Sequence, residues 1–223
     1  PSQLSNLLVL GVGNTIGGIF FYYALEFGPL AVVSPVTAAY PVVSAVLAYV
    51  ISGERLSAAI TAAVAGVIAG TLLASFGAAR PVAGHPRRTS ALWAAVASAL
   101  TFGAVFYFLA ARAAATGPTA PVLIFRFTGA VLLLLPLAAG WRLPAGLWRS
   151  GWLWATGLLD SLAYLLYALG ARQLPVSVIS ALSGLFSVWT LVLAVLFLRE
   201  RLRLRQWAGV ALIFAAILAL GLR

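Results

Sequence analysis

The chain has 223 residues, 63% hydrophobic and only 8% charged, where a soluble domain carries about 25% charged residues; it cannot clothe itself in water. All 14 basic residues are arginine and leave a net charge of +10, but they fall mostly between apolar stretches, where they suit phospholipid head groups rather than nucleic acid. The absence of cysteine excludes disulfides, thiolate metal sites and cysteine nucleophiles.

Cutting at charges and Gly/Pro breaks predicts eight spanning helices, at about 4–25, 30–52, 57–77, 91–112, 119–140, 151–170, 175–198 and 206–222. Each is close to the roughly 20 residues that cross a bilayer. The runs are continuous and not of alternating polarity, so the expected fold is an all-α polytopic bundle and not a barrel.

The first segment carries Asn14, a candidate polar contact, and the aromatics Phe20 and Tyr23. The second holds Pro35 and Pro41, with Ser34, Thr37 and Tyr40 around them. Proline removes a backbone donor and clashes one turn back, and in a membrane such an interruption is tolerated only where protein or water meets the freed carbonyls. The third presents Ala62, Gly66, Gly70 and Ala74 on one face. Residues 78–90 then form the longest polar stretch, AARPVAGHPRRTS. Its His85 has no carboxylate or cysteine nearby and is not a metal site.

Ala91, Ala95, Ala99 and Gly103 share a face of the fourth segment, as Ala211, Ala215 and Ala219 do in the eighth. Small residues at this spacing let helix backbones approach closely in lipid, within one bundle or in a dimer. The fifth segment contains Arg126, about 10 Å deep at 1.5 Å per residue. The sixth contains Asp160, about 16 Å from the same face of a roughly 30 Å core. An arginine side chain can span that difference, so Asp160 is expected to face the bundle interior within reach of Arg126 or of a polar cavity, in a structural pair or in substrate or proton handling, since an intramembrane carboxylate is costly; an Arg126 reaching back to its near interface is the alternative. Tyr164 lies one turn beyond Asp160. Trp148, Trp152 and Trp154 near the start of the sixth segment read as an interfacial belt. In the seventh, Ser180, Ser183, Gly184 and Phe186 occupy the stretch related to the Pro41 region, followed by Trp189.

That relation comes from an internal repeat. Residues 46–56, VLAYVISGERL, and 192–202, VLAVLFLRERL, are identical at six of eleven positions at a shift of 146. Tyr23-Ala24-Leu25 meets Tyr167-Ala168-Leu169 at a shift of 144. Two related bundles in a membrane chain are the pattern of a transporter, with the binding site at interrupted helices in matching places. The offset is five helices, an odd number, so the repeats should be inverted. The expected units are 1–78, with three helices, a linker at 79–90, and 91–223, with five. The first two helices of a symmetrical arrangement are then missing before residue 1, by truncation or as a natural short form. The closing Glu54-Arg55 and Glu200-Arg201 read as helix ends and not as chemistry.

The order of these features resembles the EamA domain of the drug/metabolite transporter superfamily: a Tyr-Ala-Leu helix end, an apolar helix with internal Ser/Pro, and a closing GERL or RERL. PVLIFRFTGAVLLLLPL (121–137) is similar to that domain's second helix and QWAGVALIFAAILAL (206–220) to its fifth. The resemblance implies ten helices in two inverted five-helix units, and export or exchange of small metabolites.

The sequence reading is therefore a bacterial inner-membrane permease that moves an amino-acid-like or drug-like metabolite by alternating access. A sugar, nucleotide-sugar or lipid-linked substrate carrier and a non-transporting membrane subunit are the alternatives. The expected partners are a small-molecule substrate and membrane lipid, with no nucleic acid, the chain acting as a monomer or a dimer. Candidate substrate-binding residues are Asn14, Tyr23, Tyr40, Arg126, Asp160, Tyr164, Phe186 and Trp189. No catalytic residue, metal ligand or cofactor is expected, because no nucleophile–base set, P-loop or dinucleotide fingerprint occurs.

Overall fold

A backbone in lipid must satisfy its N–H and C=O groups within its own segment, and a run of apolar residues does this as a helix. The computed structural model describes residues 2–28, 33, 36–75, 88–140, 142, 146–186 and 203–221. Among them every long regular element is an α-helix and there is no strand. In chain order these are α1 (Ser2–Phe27), α2 (Tyr40–Ser52), α3 (Ala58–Ser75), α4 (Arg88–Thr116), α5 (Thr119–Ala138), α6 (Gly151–Gly170), α7 (Val176–Ser183) and α8 (Leu204–Gly221), with a short 3-10 turn at Leu147–Arg149. Four contain spans long and apolar enough to cross a membrane: Leu4–Phe27, Thr89–Thr116, Thr119–Ala138 and Gly151–Gly170. Apolar stretches of α2, α3 and α8 are shorter.

The helices cluster into two units, Pro1–Ile16 with Phe108–Leu174 and Gly17–Tyr107 with Pro175–Arg223. In the first, α5 packs on α6, and the first turns of α1 approach α5 at Gly11. A Cβ there would stand 2.6 Å from the Thr128 hydroxyl, so only glycine admits the approach. Ala113, Val122 and Ala168 form a small core against which Tyr164 packs. Trp154 donates its indole N–H to the Trp148 carbonyl at 2.9 Å and the two rings lie 6.2 Å apart; both, like Trp152, are exposed.

In the second unit α3 lies along α8, and α7 packs on both α2 and α3. Gly70 sets the α3–α8 spacing: a Cβ there would meet the Gly209 carbonyl at 2.7 Å. Val64, Val67, Val178, Ala181 and Ala216 are the buried centre. The small-residue face of α4 is buried throughout, at Ala91, Ala95, Ala99 and Gly103, and Ser44 of α2 donates to the Gly103 carbonyl at 2.7 Å. The face expected on the last helix is not used. Ala211, Ala215 and Ala219 are exposed, and α8 instead meets α3 through Gly209, Ile213 and Ala216, because the larger Ile213 fills the space that Gly70 leaves.

Candidate functional site

Two groups of the candidate residues come together, one in each unit. In the first unit Arg126 of α5 meets Asp160 of α6, Nη2 to Oδ2 at 2.8 Å. The two side chains are 35% and 57% exposed, so Asp160 keeps an open side and does not turn wholly into the helix packing. The guanidinium stands over the face of Tyr164, 5.1 Å from the ring centroid, where the electron-rich ring attracts a cation. Asp160 and Tyr164 are four residues apart on α6, so they lie on one face, one turn above the other. Tyr164 is itself held twice. Its hydroxyl donates to Asn14 Oδ1 of α1 at 2.6 Å, and Phe125 meets its ring edge-on at 6.1 Å.

Arg126 is positioned but not saturated. Its Nε and Nη2 are buried and neither has an aligned hydrogen-bond partner among the described residues; the contact to Asp160 is close in distance without the geometry of a hydrogen bond. Nε and Nη2 form one edge of the guanidinium, the edge that grips a carboxylate or phosphate with two parallel bonds. Nη2 has the Asp160 ion pair, but leaving the buried Nε donor without an acceptor costs free energy, and an anionic group gripping the edge would relieve it.

In the second unit the backbone leaves helical geometry at Ala38–Ala39, just before α2, and again at Gly184–Leu185, just after α7. The helix is interrupted beside Pro41 as expected: helical Val36–Thr37 give way to the Ala38–Ala39 turn, and Pro41 sits in the first turn of α2, where its missing N–H is not needed. Pro35 lies outside the described residues. The two breaks meet. A Cβ at Gly184 would lie 3.3 Å from the Pro41 ring and 3.1 Å from the Ala181 carbonyl, so glycine lets the chains close up. Tyr40 bridges them, its hydroxyl 2.7 Å from Ser183 Oγ. Because the Ser183 hydroxyl donates to the Ser180 carbonyl at 2.7 Å, Tyr40 is the donor. The Tyr40 ring stacks on Phe106 at 5.0 Å and on Phe186 at 6.4 Å.

Tyr23 has other partners, its hydroxyl 3.3 Å from Ser90 and its ring 4.7 Å from Phe27. Trp189 and Glu200 lie outside the described residues. Among the described residues no three His, Cys, Asp or Glu side chains gather as a metal site.

One role escaped the sequence reading. Glu54, expected only to end a helix, caps another. Its carboxylate accepts from the backbone N–H groups of Val176 at 2.9 Å and Ser177 at 3.2 Å, and from the Ser177 hydroxyl. These are donors that the first turn of α7 cannot satisfy internally, and a carboxylate there also complements the helix dipole. Gly53 makes this possible by turning left-handed at φ 61°. The available signal was Pro175-Val176-Ser177, a helix start with no acidic cap of its own.

A family model described as the EamA-like transporter family matches residues 1–76 and 89–222. No curated protein matches. A solved crystal structure, titled only as that of a protein, shares the fold with a TM-score of 0.71 at 22% identity, over 97% of this chain and 75% of that one.

Proposed function

Because the chain belongs to the EamA-like transporter family, and so is an integral membrane protein of a transporter family and not of an enzyme family, we propose that it exports or exchanges small organic metabolites, amino-acid-like or drug-like, by alternating access. The proposed setting is a bacterial inner membrane. The proposed architecture is the pair of inverted repeats, 1–78 and 91–223, joined by the polar 79–90 stretch. The internal repeat and the two separately matched segments support it. The proposed substrate contacts are Arg126 and Asp160, with Tyr164 and Asn14 holding Arg126 in place. Tyr23, Tyr40, Phe186 and Trp189 are proposed as aromatic wall.

The observation that carries this reading is the buried Arg126 Nε, which has no hydrogen-bond partner among the described residues, on the same guanidinium edge whose Nη2 pairs with the half-open Asp160 carboxylate. A substrate carboxylate takes that edge in two-point fashion. Asp160, displaced from the pair, then accepts the substrate's ammonium group or a proton. A charge introduced without its counter-charge would be costly at this depth, so the site favours substrates that bring an anionic group. The test is uptake of labelled amino acids into proteoliposomes, with the free compounds screened beforehand for thermal stabilisation. Arg126→Gln is expected to abolish both stabilisation and uptake while the protein stays folded. Unchanged uptake in Arg126→Gln would overturn the assignment.

A further inference from the structure

A cleft of about 560 Å³ opens in the second unit between α2 and α3. The two helices are consecutive, yet each packs on α7 rather than along the other, and the space between them is left open. One wall is the Val42, Ala45, Val46 and Tyr49 face of α2, whose i, i+3, i+4, i+7 spacing is that of a helix stripe made to be covered. Facing it are Thr61, Val64 and Ile68 of α3. Val46 and Tyr49 remain 54% and 67% exposed. Seven residues of α2 give the cleft a length of about 10 Å.

Its charged end is asymmetric. Glu54 and Arg55 both stand there, but the Glu54 carboxylate is taken up by three donors of α7. Arg55 is exposed and has no ion-pair or hydrogen-bond partner among the described residues. The mouth therefore presents an exposed, unpaired guanidinium at the end of an apolar trough, while the Glu54 carboxylate, still charged, is held against the first turn of α7. Arginine grips phosphate in two-point fashion, and a basic residue at the end of an apolar segment lies at head-group level.

We propose that this cleft binds one anionic phospholipid, its phosphate on Arg55 and the upper part of an acyl chain between α2 and α3. The bound chain covers the α2 stripe that α3 leaves open and braces the α2–α7 pair on which the Tyr40 bridge stands. The site is separate from Arg126 and does not depend on the transport reading.

The experiment uses the purified full chain in detergent, with lipid retention followed by native mass spectrometry and stability by thermal unfolding. The additives are phosphatidylglycerol, phosphatidylcholine with the same chains, and glycerol 3-phosphate. Phosphatidylglycerol is expected to be retained about fivefold better than phosphatidylcholine, the worth of one arginine beside an anionic lipid, and to raise the unfolding temperature. Glycerol 3-phosphate is expected to do neither. Arg55→Gln should bring phosphatidylglycerol down to the phosphatidylcholine level, while Arg55→Lys keeps most of the preference. Val46→Trp, which fills the trough, should lower retention of both lipids. Equal retention of the two lipids by the parent protein, an undiminished preference in Arg55→Gln, or equal stabilisation by glycerol 3-phosphate would each overturn the proposal. Arg55 is on the surface, so its variants decide the matter even if Val46→Trp does not fold.

Discussion

Tyr40 stacks on Phe186 with centroids 6.4 Å apart and planes at 25°, and the two are 146 positions apart in the chain, the same offset at which VLAYVISGERL recurs as VLAVLFLRERL. Residues that the repeat makes equivalent are thus each other's neighbours. The Tyr40 hydroxyl reaches Ser183, whose counterpart at the same offset is Thr37. Thr37 is also buried, and its hydroxyl donates to the Val33 carbonyl one turn back. The hydroxyl groups at both breaks are therefore turned to backbone carbonyls, as expected where a helix stops inside protein.

Tyr40→Phe removes the hydrogen bond that Tyr40 of α2 gives to Ser183 at the end of α7 while keeping both ring stacks. A loss of about 1 kcal/mol is expected, read as a lower unfolding midpoint in detergent. Ser183→Ala should cost a similar amount, and the double variant little more than either alone, because both break the same bond. Full additivity of the two would show that Tyr40 and Ser183 act independently.

Asp160→Leu leaves the Arg126 guanidinium without its counter-charge and should lower stability. Arg126→Leu added to it should restore much of the loss. A coupling of about 0.5–3 kcal/mol in the double-mutant cycle is the range for groups in direct contact. Asp160→Asn keeps the shape and a partner for Arg126, so it should fold normally. Any change it makes in the pH dependence of transport reports on Asp160 as a proton or substrate group. A coupling near zero would mean that the 2.8 Å contact contributes nothing.

Glu54→Ala strips three acceptor contacts from the first turn of α7 and should destabilise by about 2 kcal/mol, the scale of hydrogen bonds to a charged group. Glu54→Gln keeps acceptor capacity but loses the charge, and should fall between. Hydrogen exchange at Val176 and Ser177 is the direct readout: both amides should exchange faster in Glu54→Ala, and protection equal to that of the parent would refute the cap.

Gly70→Val should separate α3 from α8, since its Cβ would stand 2.7 Å from a backbone carbonyl that cannot move alone. A cost of about 1–3 kcal/mol is expected for such overpacking. Gly157 in α6 has nothing within 4 Å of a would-be Cβ, so Gly157→Ala should be neutral or stabilise by up to about 1 kcal/mol through helix propensity. Thermal midpoints of the two variants moving in the same direction would contradict the packing account.

That Arg126 could reach Asp160 was legible from depth, because helix rise and bilayer thickness place two charges along one axis; that it pairs there, and does not reach back to its near interface, was decided by the fold. The partners of Tyr164 were not legible. Asn14 is 150 positions away, and nothing in either local sequence says that α1 and α6 present these faces to each other. The break beside Pro41 was legible, and what was not is that it packs against the break at Gly184, where a Cβ would lie 3.3 Å from the Pro41 ring. Glu54 looked like punctuation because its function is exercised on a helix more than 120 residues later.

By itself the sequence determined the helical class, the approximate place of the described helices and the family resemblance. These rest on composition and on hydrogen bonds closed within one segment, which a continuous apolar run dictates in a membrane. Only the tertiary structure decided which small-residue faces are buried, that α2 and α3 separate to leave a cleft, that Glu54 caps α7, and that Arg126 Nε is buried without a hydrogen-bond partner among the described residues. In lipid an apolar face gains little from one apolar neighbour over another. Partner choice therefore falls to a few close approaches at glycine and a few polar contacts between residues distant in the chain, and hydrophobic pattern carries no record of those.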